Sequence, residues 1–333
     1  MHQQANGQKV LVTGADGFIG SHLVESLALA GASVRALVYY NSWNSIGWLS
    51  DCDPEILATI EIIQGDIRDT ERIFQAVQGC HKVFHLSSLI AIPYSYEAPR
   101  SYVETNIIGG LNVLQACRNT DSVERLVHTS TSEVYGTAQT VPISETHPVV
   151  GQSPYSATKI GADQLAESYF RSFELPVVIA RPFNTFGPRQ TARAVIPTIA
   201  SQLLSGCEEL ELGALTPTRD FCYVGDTVAG LIALSNCREA EGQVVNIGTG
   251  CEWSIEETAQ LLMKITGREV PIKCDAERLR PEKSEVNRLL ADNSKLKSLT
   301  PWTPTYAFEQ GLSETVEWIS KNLEYFNPNN YNI

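Results

Sequence analysis

The run His128-Thr129-Ser130-Thr131-Ser132-Glu133-Val134-Tyr135-Gly136 crowds hydroxyls and one carboxylate into a short space directly after the apolar pair Leu126-Val127. An apolar strand that opens into such a loop points those groups into whatever cleft its sheet borders. Tyr155 and Lys159 follow, spaced i, i+4, so a helix would carry both on one face. Hydroxyl, carboxylate, phenol and ammonium are the groups needed to oxidise an alcohol and then move a proton beside it. An unperturbed tyrosine titrates at about 10 and needs help to act as a base at neutral pH. A cation one helical turn away favours the phenolate.

Those groups need elements to hold them. Lys9–Thr13 reads as a short strand that ends in Gly14-Ala15-Asp16-Gly17-Phe18-Ile19-Gly20, and residues 21–28 carry helical periodicity that stops at Gly31. Further strands are predicted at 32–38, 60–66, 82–86, 126–129 and 177–180, with helical patterns at 70–77 and 101–117. Strand alternating with helix predicts an α/β fold of Rossmann type, a doubly wound parallel sheet with helices on both faces. Beyond residue 182 the elements shorten and Pro and Gly increase, with short strands at 209–212 and 243–247 and a helix at 255–266. This part is predicted as a smaller C-terminal α/β lobe. The division is therefore 1–182 for the sheet domain, which includes the Tyr155/Lys159 helix, and 183–333 mainly for the lobe, with room for the chain to cross back. The Asn-rich tail from Asn327 is expected to be loosely ordered.

Composition narrows the partners. The chain has 333 residues, 43% of them hydrophobic and 19% charged, with a formal charge of −13. That balance argues against a nucleic-acid or anionic-membrane surface, while local Arg residues and helix N-termini can still hold a phosphate. The eight cysteines include no C-x-x-C pair and the six histidines do not cluster, so no metal site is expected and most thiols are predicted to be buried. The polar N-terminus and the lack of any membrane-length apolar run make a cytoplasmic protein the expectation.

The glycine triplet closes the first strand and opens the first helix, the context in which it binds a dinucleotide pyrophosphate. Gly14 allows the tight turn, Gly17 lets the backbone approach the phosphates, and Gly20 lets helix pack on sheet. Phe18 and Ile19, inside the loop, are assigned to the same cofactor, as are Ile67 and Leu86 beside the ends of the third and fourth strands. Asp66, closing the third strand, has a carboxylate for the adenine amino group, although a helix-capping aspartate would look the same. At the end of the second strand, where an acid usually meets the ribose 2′-hydroxyl, the chain reads Leu37-Val38-Tyr39-Tyr40-Asn41. It offers neither an acid for NAD nor a cation for NADP.

Gly14, Gly17, Gly20, Thr131, Tyr155 and Lys159 together resemble the extended short-chain dehydrogenase/reductase family, over nearly the whole chain. Residues 181–189, 219–226 and 278–281 are similar to that family's nucleotide-sugar segments. The resemblance implies an NAD(P)-dependent enzyme acting on a nucleoside-diphosphate sugar. It also implies a homodimer built through a four-helix bundle, with 101–117 and 156–172 as the two helices of each subunit. On the same analogy Asn184, Arg219 and Arg280 hold the diphosphate and nucleoside, as suits the bidentate fork of a guanidinium. An ion pair within the fold is the alternative role for each arginine. Asn106, grouped with these substrate-side residues, matches an asparagine that supports the active-site lysine.

Family members share a first step, in which Tyr155 takes the proton of the sugar C4 hydroxyl with Thr131 hydrogen-bonded there while C4 is oxidised. A 4-epimerase needs no further acid or base. A 4,6-dehydratase needs a carboxylate to remove the C5 proton and help expel the C6 hydroxyl. Thr131-Ser132-Glu133 resembles the dehydratases: the dTDP-glucose enzymes carry Thr-Asp-Glu and the GDP-mannose enzymes Thr-Ser-Glu. Without an Asp at 132, Glu133 is expected to serve as base and to assist the leaving hydroxyl, with Ser132 beside it. Residues 87–96 and 189–197 resemble the bacterial 4,6-dehydratases that begin legionaminic acid synthesis from a nucleotide-linked N-acetylglucosamine. That resemblance implies NAD, with NADP left open, and a UDP- or GDP-linked substrate. The alternatives are a 4-epimerase and a non-catalytic NAD-binding scaffold, which would have little use for the Tyr/Lys pair.

Overall fold

The computed structural model describes residues 7–279 and 281–326. Six strands appear in the order expected: β1 (Lys9–Thr13), β2 (Ser33–Tyr39), β3 (Glu61–Gly65), β4 (Lys82–His85), β5 (Arg125–Thr129) and β6 (Val177–Pro182). All are parallel, and the sheet order is Val244–Ile247, β6, β5, β4, β1, β2, β3. The order reverses between β1 and β4, which opens a crevice at the carboxyl ends of the strands. Thr13 of β1, His85 of β4 and His128 of β5 lie side by side there.

Alternation along the strands explains why helices cover both faces. Val10 and Val12 of β1, Ala36 and Val38 of β2, Val127 of β5, and Val178 and Ala180 of β6 enter one core. Their neighbours Leu11, Leu37, Leu126, Val177 and Ile179 enter the other. A period of two places successive side chains on opposite faces. Each fully buried aliphatic side chain contributes about 1.5–3 kcal/mol, so both faces must be capped. The helix Phe18–Leu29 packs on the first face, and the helices Thr70–Val77, Gly109–Arg118 and Pro154–Phe173 on the second.

Two expectations need correction. The strand expected at 243–247 in the C-terminal lobe forms, as Val244–Ile247, the edge strand of the large sheet, with Ile247 beside Pro182. Its apolar run pairs with a strand distant in sequence, which periodicity does not reveal. The helix expected at 101–117 begins at Pro99 and is interrupted by a π-helical stretch, Val103–Ile108. Such widened turns often accompany functional residues, and this one carries Asn106. The lobe itself holds short strands at Leu210–Leu212, Phe221–Tyr223 and Ile272–Cys274 and the helix Ile255–Thr266, whose Ser254 and Glu257 form a capping box. Among the described residues no helix is long and apolar enough to cross a membrane. The tail from Asn327 lies outside the described residues.

Candidate active site

The helix Pro154–Phe173 starts where its sequence dictates. The Ser153 hydroxyl accepts from the Ser156 amide at 3.1 Å, the Ser156 hydroxyl accepts from the Ser153 amide at 3.0 Å, and Pro154 fills the first turn. Tyr155 therefore leaves the first turn of the helix at the cleft. It is 6% exposed, lies edge-on to Tyr102 at 6.3 Å, and has the Thr131 hydroxyl close enough to influence its titration. Burial pushes the phenol above its ordinary value, the nearby Thr131 hydroxyl opposes that, and the charge of Glu133 adds to it.

Lys159 sits one turn on, as the spacing predicts, but its ammonium is committed elsewhere. Nζ donates to the Thr129 carbonyl at 2.7 Å and to the Ser88 hydroxyl at 3.1 Å. Burial brings it down to about 8, with Asp163 opposing. Asp163 lies a further turn along the same helix face and accepts from Ser130 Oγ at 2.8 Å and from Arg181 Nε and Nη2 at 3.1 and 3.0 Å. His128 Nε2 stands 3.5 Å from the other Asp163 oxygen, too far for a full hydrogen bond, and burial keeps its ring below its ordinary value. The Asp163 carboxyl is opposed by burial, yet His128, Arg181 and Ser130 hold it below the usual range. Lys159 is thus fixed at the end of β5 with a buried ion pair behind it.

The loop after β5 turns through a short 3₁₀ segment, Ser132–Tyr135, capped by Thr131, whose Oγ1 accepts from the Glu133 amide at 3.2 Å. Ser132 is 2% exposed and makes no hydrogen bond with Tyr155, Lys159 or Glu133 among the described residues. The Glu133 carboxylate is half-buried, near enough to Tyr155 to raise its phenol, and has no hydrogen-bond or ion-pair partner among the described residues. A glutamate placed only to staple the loop would be bonded within it. The loop therefore presents an uncommitted base beside a phenol.

The glycine loop fits a dinucleotide pyrophosphate. Gly17 is the N-cap of the helix Phe18–Leu29, and no side chain among the described residues caps it, so the first amides of that helix are open to an anion. Gly14 has φ +69°, and a Cβ there would lie 2.8 Å from the Ser87 amide nitrogen; on Gly20 it would lie 2.0 Å from the Gly14 carbonyl. Gly17 has an ordinary φ of −83°, so its missing side chain serves close approach. Phe18 and Ile19 form the first turn, and Leu86 donates its amide to Thr13 beside them. Asp66 binds Arg68 through both oxygens, at 2.9 Å to Nε and 2.6 Å to Nη2, while capping of the next helix falls to Asp69. Ile67 turns its side chain into the core against Gly109, and its carbonyl accepts from Asn112.

The substrate-side residues divide. Asn184 opens the strand Asn184–Phe186, and its Oδ1 is buried without a partner among the described residues, so it is set to receive a donor from a ligand. Arg219 is 6% exposed and ion-paired to Glu285 at 3.3 Å. Arg280 lies outside the described residues. The grouping of Asn106 with substrate contacts is corrected: its amide accepts from Leu89 N at 2.9 Å and donates to Leu89 O and Thr158 Oγ1 at 3.0 and 3.1 Å. It clips the loop after β4 to the residue before Lys159. Sequence reasoning passed over Ser88 and Asp163. Asp163 had a signal, since it stands i+4 from Lys159 and i+8 from Tyr155; Ser88 had none that its neighbour lacked.

A family model described as GDP-mannose 4,6 dehydratase matches residues 11–315. The chain is 32% identical over 315 residues to the low-salt glycan biosynthesis protein Agl12 of Haloferax volcanii, covering 93% of this chain and 97% of that protein. It is 31% identical over 332 residues to a dTDP-glucose 4,6-dehydratase of an Actinoplanes species, covering 96% and 99%. Among solved structures, the UDP-glucuronic acid 4-epimerase of Bacillus cereus in complex with UDP-glucuronic acid and NAD superposes with a TM-score of 0.85 at 29% identity, covering 95% of this chain and 100% of that one.

Proposed function

The chain belongs to the GDP-mannose 4,6-dehydratase family, and on that premise we propose that it is a 4,6-dehydratase of a UDP- or GDP-linked N-acetylglucosamine. It is an NAD-dependent enzyme of the nucleotide-sugar dehydratase and epimerase type. NAD supplies the acceptor that oxidises C4 and the donor that later reduces C6. The protein's part is proton traffic and positioning. Tyr155, with the Thr131 hydroxyl beside it, takes the C4-hydroxyl proton, and Lys159 holds positive charge one turn behind it. A 4-ketone acidifies the C5 proton, which Glu133 removes. The C6 hydroxyl leaves as water with that proton, and C5 takes a proton from solvent as C6 is reduced; Ser132 lies beside Glu133 as the second polar group of the tripeptide. The uncommitted carboxylate of Glu133 beside Tyr155 carries this reading, because a 4-epimerase has no use for it.

Asn184 and Arg219 are the proposed diphosphate and nucleoside contacts, with Arg280 assigned to the same role from sequence. The dimer is part of the same proposal, supported by Val103 and Ile108 on one candidate helix and Phe173 on the other, each 44% exposed. A cytoplasmic location follows from the same biosynthetic role. Incubation with UDP- and GDP-N-acetylglucosamine, with mass and NMR analysis of the product, tests the reaction. A 4-keto-6-deoxy sugar carrying deuterium from C4 at C6 is expected. Retention of every sugar oxygen would sink the dehydratase. Glu133→Gln should still oxidise C4 and accumulate reduced cofactor while dehydration falls about 10²–10⁴-fold; undiminished turnover would favour the epimerase.

A further inference from the structure

The second strand ends in Tyr39, and neither it nor the following Tyr40 and Asn41 carries a carboxylate. Folding brings one there. Asp16, from the glycine loop, accepts a hydrogen bond through Oδ2 from the Tyr39 amide at 3.2 Å. The loop after β2 closes on the same residue, since the Trp48 amide donates to the Asp16 carbonyl at 3.0 Å and a Cβ on Gly47 would lie 2.4 Å from that oxygen. Asp16 is thereby held half-buried between the glycine loop, the end of β2 and the 41–48 loop, and no Lys or Arg pairs with it among the described residues. Burial holds its carboxyl above the usual range, with the Tyr39 amide opposing.

The cation that a 2′-phosphate would need is committed nearby. Arg68 lies near Tyr39. Its guanidinium is taken by both oxygens of Asp66, and Glu104 stands 3.8 Å from Nη1.

We propose that Asp16 is the specificity-determining residue that selects NAD over NADP. Its carboxylate supplies, from the glycine loop, the acceptor that a dinucleotide-binding fold otherwise places at the end of the second strand for the ribose 2′-hydroxyl, and its charge repels a 2′-phosphate. Asp16→Asn separates this role from a structural one, because an asparagine oxygen can still accept from the Tyr39 amide while the charge is gone. Cofactor-stripped wild-type and D16N protein are titrated calorimetrically with NAD and with NADP. The ratio of NAD to NADP affinity is expected to fall at least about tenfold in D16N, as loss of a charge-assisted hydrogen bond and of like-charge repulsion implies. D16S provides a second variant, with the same direction expected, should D16N fold poorly by circular dichroism. A ratio within about twofold of wild type in a folded variant, or a wild-type protein that binds NADP as tightly as NAD, would overturn the proposal. The readout is cofactor binding and not turnover, so it succeeds or fails separately from the dehydratase reading.

Discussion

Replacing Lys159 with Met should make the cofactor-free protein more stable at neutral pH while abolishing turnover. An ordinary lysine titrates at 10.5 and burial brings Lys159 to about 8, a gap worth about 3 kcal/mol at about 1.4 kcal/mol per pKa unit. The sign follows from linkage. The folded pKa is depressed, so the unfolded chain binds more protons between about pH 8 and 10.5, and wild-type stability rises across that window. Below pH 8 the whole penalty for burying the ammonium is present. Met removes the penalty and keeps most of the volume, but it strands the Thr129 carbonyl and the Ser88 hydroxyl, which costs about 1–3 kcal/mol. The variant should then gain about 1 kcal/mol at pH 7 and lose its advantage, by about 2–3 kcal/mol, near pH 10. Urea unfolding of both proteins at the two pH values measures the difference. A stability difference that moves by less than about 1 kcal/mol between them would refute the account of Lys159 as a strained buried cation.

Asp163→Asn should destabilise the fold by about 3–5 kcal/mol, because it leaves Arg181 buried without its counter-charge. The Asp163 carboxyl is held below its usual range, so its contribution is present above that range and is lost as pH falls through the folded value. The gap between wild type and D163N in thermal unfolding should therefore narrow on acidification; a gap independent of pH would count against the ion pair. Gly20→Ala should abolish NAD binding and destabilise the glycine-loop helix by more than about 2 kcal/mol, since its Cβ would meet the Gly14 carbonyl at 2.0 Å, backbone against backbone. Calorimetric titration showing wild-type NAD affinity in G20A would contradict that packing.

Much of the local grammar of this protein is written in its sequence. Strand and helix alternate in a pattern that neighbours along the chain enforce, and Ser153-Pro154 starts the helix that carries Tyr155 and Lys159 on one face. The glycine loop declares its own turn. The resemblance to a known family extended that grammar to chemistry, assigning Thr131 and Tyr155 to oxidation and Glu133 to elimination. Tertiary structure alone decided which distant groups meet. Residues 244–247 complete the large sheet because a parallel edge strand is chosen by non-local pairing, to which a short apolar run gives no address. Lys159 is bound to the end of β5 and to Ser88 because a buried ammonium must find carbonyl and hydroxyl oxygens wherever the fold supplies them. Asp16 reaches the end of β2 only once β1 and β2 pair, so an acid absent from the second strand's sequence is present in its space. Glu133 could be named from its tripeptide, but its lack of a partner among the described residues is a property of the folded loop, and a base serves only while its oxygens are free.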